Sequence, residues 1–120
     1  MPQTVIHVCE TCQRKDVAPE NIRDGEVFAD LVSIAANKVE EVEVKRFRCL
    51  AGCEEACNLA IQESGKFAYL FGRFDPIEEK ASAIVEFARL YHHTDDGLVP
   101  WRERPEALKG HMRGKLPILD

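Results

Sequence analysis

Five cysteines fall in two clusters, each at the downstream end of a short β-branched run, and this placement narrows the folds open to the chain. Thr4 to Val8 reads as a buried strand that delivers Cys9 and then, three residues on, Cys12. Val42 and Val44 alternate with Glu43 and Lys45 as a half-exposed strand does, and that run passes through Phe47 into Cys49, Cys53 and Cys57. If the two strands are parallel neighbours, both cysteine clusters emerge at one edge of a sheet.

The segment between the clusters suits a crossover. Pro19 and many charges mark residues 12–23 as a loop. Asp24 can cap a helix in which Val27, Phe28, Leu31, Val32, Ile34 and Ala35 share a face, ending near Lys38. Downstream, Leu59 and Ile61, then Phe67, Tyr69 and Phe71, alternate on either side of Glu63-Ser64-Gly65-Lys66, a hairpin signature. Asp75-Pro76 predicts a capping carboxylate with proline at the first helical position. Glu78 and Glu79 suit the helix N-terminus, Ile77, Ala81, Ile84, Val85, Ala88 and Tyr91 form the apolar stripe, and Gly97 closes the segment. The proline-rich remainder reads as an irregular strap with one helical turn at Glu106 to Lys109, and Trp101 is expected to pack back on the domain. The expected fold is α/β: a β-α-β unit, a cysteine-bearing loop and a β-β-α unit around a four-stranded mixed sheet.

A chain of 120 residues is one domain, large enough to bury a core without covalent staples. Its cysteines are therefore free for chemistry. No apolar run approaches a membrane span, and the start lacks the features of a secretory leader, so a reducing cytoplasm is the expected compartment. A net charge of −5 argues against nucleic acid, with Lys45, Arg46 and Arg48 only a local exception.

The spacing of the thiols points to a metal. Cys9 and Cys12 form a C-x2-C pair, and Cys49, Cys53 and Cys57 form a C-x3-C-x3-C ladder whose steps place thiolates on one face of a helical turn. Four thiolates suit zinc or an iron–sulfur cluster, whereas calcium and magnesium demand oxygen. A thiol–disulfide enzyme fits less well, because the first helix starts far from Cys12 and no proline precedes Leu59. His92 and His93 close a helix, where capping is the ordinary role, and His111 lies in the strap. His7 is set aside as a Rieske-type ligand because no second histidine is suitably spaced. No general acid–base set stands out, which favours a protein that is not an enzyme.

"CETC" after the first strand and "CLAGC" after the second resemble the thioredoxin-like [2Fe-2S] ferredoxins and the small iron–sulfur subunit of bacterial NADH dehydrogenases. "HVCETC", "RCLAGCEEACN", "YLFGRFDP", "EFARLYH" and "DGLVPWRERPEALK" are also similar to a small bacterial family labelled as predicted metal-binding, over nearly the whole chain. The ferredoxin resemblance implies a thioredoxin-like domain over residues 1–97, with residues 98–120 as a C-terminal tail packed on it. It implies that Cys9 and Cys12 match the first ligand pair, Cys49 and Cys53 the second, and that the protein carries one electron for a redox partner protein. Self-association as a homodimer follows from the same resemblance, and a link to cobalamin synthesis from the second. The first pair is closer here than in the ferredoxins, which favours a single metal, and Cys57 is an added candidate ligand. The alternative is a four-cysteine zinc protein, structural or for metal delivery. On the electron-carrier reading, backbone amides at Ala51-Gly52 would donate to the sulfurs. Arg14, Lys15, Arg48, Glu54 and Glu55 would shape docking.

Overall fold

The computed structural model describes residues 3–9, 24–47, 58–72, 74 and 77–117. Strands β1 (Thr4–Cys9) and β2 (Val42–Phe47) are joined through helix α1 (Asp24–Ala36), and they pair in parallel. Strands β3 (Leu59–Gln62) and β4 (Ala68–Phe71) form the expected hairpin, and helix α2 (Glu78–His92) follows. A fifth strand, β5 (Met112–Leu116), pairs antiparallel with β4. The sheet order is β2-β1-β3-β4-β5, with β1–β2 as the parallel pair.

The sheet therefore has five strands, where the sequence predicts four. β5 escapes the pattern because its residues Met112, Arg113, Lys115 and Leu116 stay exposed and Gly114 has no side chain to bury. Its pairing rests on backbone bonds to β4, interrupted by a bulge between Leu70 and Phe71. An edge strand of this kind carries charges and shows no apolar alternation.

Strand periodicity separates the two sheet faces. Ile6, Val8, Leu59, Ile61, Tyr69 and Phe71 point inward under both helices, which also pack on each other. α1 contributes Phe28, Ala29, Val32 and Ala36, and α2 contributes Ala81, Ile84, Val85, Phe87, Ala88 and Tyr91. The aromatic rings supply much of the core. The Phe87 ring meets Tyr69 edge-on at 5.2 Å and Phe71 at 5.3 Å, and Phe28 stacks on Phe74 at 5.3 Å. Full burial of each such ring is worth roughly 1.5–3 kcal/mol.

Several details depart from the sequence pattern. Ile34 is 73% exposed, because two residues from Val32 a helix has turned to its opposite side. α2 starts at Glu78 with Ile77 in extended backbone as its N-cap, so the helix begins beyond Pro76. Asp75 and Pro76 themselves lie outside the described residues. α2 ends at His92, and Gly97, at φ +88°, belongs to the following turn. The helical turn at Glu106–Leu108 forms as expected and buries Leu108, and Val99 is buried with it. Trp101 opens a short 3-10 turn.

Candidate metal centre

β1 and β2 end together. Their register sets Cys9 opposite Phe47, so the chain leaves both strands at the same edge of the sheet. The Cys9 amide donates to the Asn58 carbonyl at 3.1 Å, which brings the entry to β3 to that edge as well. In sequence, Cys12 follows Cys9 by three residues, Cys49 follows Phe47 by two, and Cys57 immediately precedes Asn58.

Cys9 is fully buried. Cys12, Cys49, Cys53 and Cys57 lie outside the described residues, as do Arg14, Lys15, Arg48, Ala51, Gly52, Glu54 and Glu55. Among the described residues, no group of three or more histidine, cysteine, aspartate or glutamate side chains is placed to hold a metal.

The sheet face away from the helices adjoins this edge. Strand alternation puts Val5, His7 and Cys9 on it, beside Lys45 and Phe47 of β2 and Ala60 and Gln62 of β3. The His7 ring lies 5.1 Å from the Phe47 ring, tilted by 55°. Its Nε2 is 3.1 Å from Gln62 Oε1, and its Nδ1 is buried with no hydrogen-bond partner among the described residues. An unsatisfied buried nitrogen costs roughly 1–3 kcal/mol, so this atom calls for a physical account. Burial holds the His7 pKa below the usual 6.5, with the Gln62 hydrogen bond opposing the shift and Lys45 adding to it. A groove of about 790 Å³ opens on the same face, lined by His7, Val5, Lys45, Gln62 and Leu116 among others.

A second polar cluster lies inside the helix-covered face, and no sequence pattern marks it. Thr4 Oγ1 donates to Glu63 Oε1 at 2.7 Å, His92 Nδ1 lies 2.6 Å from the same oxygen, and Lys66 Nζ is 2.9 Å from Glu63 Oε2. Lys66 also donates to the Tyr91 and His92 carbonyls, and so satisfies the C-terminal end of α2. Burial alone would raise the Glu63 pKa, but the hydrogen bonds from Thr4, Lys66 and His92, with the Lys66 charge, outweigh it and leave the carboxyl below its usual value. The helix end is thus closed by a lysine from the β-hairpin, where the sequence suggests His92 and His93. His92 instead turns onto Glu63, and His93 Nε2 lies 3.3 Å from Glu41. His111 Nδ1 lies 3.0 Å from the Gly72 carbonyl, and its ring stacks on Phe74. The signal for the Glu63 cluster is long-range: its carboxylate sits at a hairpin turn, and its partners come from β1, the same turn and the far end of α2.

No helix among the described residues is long and apolar enough to cross a membrane. No curated protein and no solved structure matches the chain. Residues 6–118 match a sequence family described as proteins of unknown function, DUF1636. With nearly the whole chain inside that match, the protein belongs to the DUF1636 family.

Proposed function

We propose that the chain holds a [2Fe-2S] cluster on Cys9, Cys12, Cys49 and Cys53, with Cys57 as the alternative ligand, and serves as a one-electron carrier for a partner protein. The observation that supports this reading is the common edge formed by Cys9, Phe47 and Asn58. From those three points the tethers to Cys12, Cys49 and Cys57 are three residues, two and one, at about 3.8 Å per residue. Loops so anchored can close on one inorganic guest.

The strand order supports the finer reading of the fold. Within the five-stranded sheet, β2-β1-β3-β4 has a parallel β-α-β unit followed by an antiparallel hairpin and a helix, the layout of a thioredoxin-like domain. The donor set fits as well, since thiolates are the ligands that iron–sulfur clusters take. A bound cluster supplies a one-electron couple whose potential follows burial and the hydrogen bonds to sulfur. What the chain itself provides is a rigid strand end, a buried first thiol and an open sheet face beside it for a partner.

The test is spectroscopic. Protein purified without oxygen should be brown, absorb in the visible, and give an EPR signal after dithionite reduction. Colourless protein with bound zinc would replace the carrier reading with the four-cysteine zinc alternative.

A further inference from the structure

β2 forms one edge of the sheet. The Thr4 amide donates to the Glu41 carbonyl at 2.9 Å, so the alternating backbone turns the amides and carbonyls of Glu43 and Lys45 towards β1 and those of Val44 outward. The Val44 amide and carbonyl have no hydrogen-bond partner among the described residues. Glu43 and Lys45 are exposed on the open sheet face and enter no ion pair among those residues. An uncovered strand edge of this kind is a template for another strand.

The order of charges says which strand fits. Two antiparallel copies of β2, related by a two-fold axis at Val44, place Val44 opposite itself, and the two residues exchange both backbone bonds. Glu43 of each copy then faces Lys45 of the other, at the non-hydrogen-bonded position where Cα atoms are about 4.5 Å apart and side chains meet most closely. Moving the axis one residue either way sets Glu43 on Glu43 or Lys45 on Lys45, and an axis at Val42 sets Glu43 on Glu41. Like charges directly opposite are destabilising. The other edge is unsuited to the same pairing, because β5 turned about Gly114 sets Arg113 against Lys115.

Helix α1 adds area to this contact. It packs on both β1 and β2, and with strands about 4.8 Å apart the two copies of α1 run side by side about 10 Å apart, a spacing at which helices pack. Arg46 marks the side of α1 nearest the edge: its Nη1 donates to Asp30 at 2.7 Å and its Nη2 to the Glu26 carbonyl at 3.5 Å. Ile34, four residues beyond Asp30 and on the same side of the helix, is 73% exposed. A second copy would cover it.

We infer that β2 is a self-docking edge. Two copies of the chain pair antiparallel about Val44 and join their sheets, with reciprocal Glu43–Lys45 pairs on one face and the two α1 helices on the other. The inference rests on β2 and α1 and is independent of the metal reading.

Sedimentation equilibrium of the full-length protein, purified without oxygen, tests it. The expected particle has twice the chain mass of 13.6 kDa. Glu43→Lys and Lys45→Glu each replace two opposite-charge pairs with two like-charge pairs, and each should raise the dimer dissociation constant at least about ten-fold. Combining Glu43→Lys with Lys45→Glu restores both pairs and should restore the dimer. Both side chains are exposed, so circular dichroism should show an unchanged fold, and if one single variant misfolds the other carries the comparison with the double variant. A monomer at every concentration, assembly beyond a dimer, or a dimer indifferent to the single reversals overturns the inference. So does a double variant that stays as weak as the single ones.

Discussion

His92 Nδ1 lies 2.6 Å from the Glu63 carboxylate, 29 residues away in sequence, and this contact ties the end of α2 to the turn between β3 and β4. Thr4 and Lys66 complete the cluster, so one buried carboxylate joins β1, the hairpin and the helix. Glu63→Ala would remove the counter-charge of the Lys66 ammonium, which keeps only the Tyr91 and His92 carbonyls, and the carboxylate that Thr4 and His92 share. The expected loss is about 3–5 kcal/mol, typical of breaking a buried ion pair from one side. Urea unfolding measures it. A loss under about 1 kcal/mol, as for an exposed pair, would show that the cluster is not holding these elements together.

The same carboxylate makes stability depend on pH. Its folded pKa lies below the usual 4.5, so between the two values the unfolded chain binds the proton and the folded chain does not. The contribution is complete above the unfolded value and disappears as pH falls through the folded one. Unfolding free energy should therefore drop as pH falls below about 4.5, with a shallower drop in Glu63→Gln. Parallel profiles for the two proteins would assign the acid sensitivity to other groups.

Two glycines with positive φ separate strain from crowding. A Cβ on Gly97, at φ +88°, would meet Tyr91 Cε2 at 2.8 Å and both Lys66 Cβ and the Phe67 carbonyl oxygen at 2.9 Å. At Gly65, at φ +81°, nothing lies within 4 Å. Gly65→Ala should cost only the backbone term, roughly 1–2 kcal/mol. Gly97→Ala should cost clearly more, because the backbone oxygen cannot move aside cheaply. Equal melting shifts would contradict this packing.

The C-terminal segment is part of the fold. Val99 and Leu108 are buried, Arg104 lies 5.6 Å over the Tyr69 ring, and β5 covers the edge of β4. Truncation after Gly97 removes all of these at once and exposes part of the aromatic core. Loss of cooperative thermal unfolding is the expected outcome, read by circular dichroism. A truncated chain that melts at the full-length temperature would show the segment to be dispensable.

How far the sequence reveals this molecule depends on the range of the interaction. β1, α1, β2, the hairpin and α2 are legible because each repeats its own local period of apolar residues. β5 is not, since an exposed edge strand is held by backbone bonds that leave no side-chain pattern. Gly97 is misread because a glycine after a helix suggests a cap, while Lys66 from another element closes that helix. Cys9 is legible from its position after a β-branched run. The strand pairing that puts it beside Phe47 and Asn58 becomes certain only in three dimensions. His7 is set aside in the sequence for want of a second histidine, and its buried Nδ1 without a hydrogen-bond partner among the described residues shows only in three dimensions.

Iron, zinc and acid-labile sulfide analysis of protein purified without oxygen tests the central claim most directly. Iron and sulfide in equal amounts, bound per folded chain, is the result expected of a [2Fe-2S] centre gathered at the Cys9 edge. A folded protein with neither iron nor sulfide would contradict it.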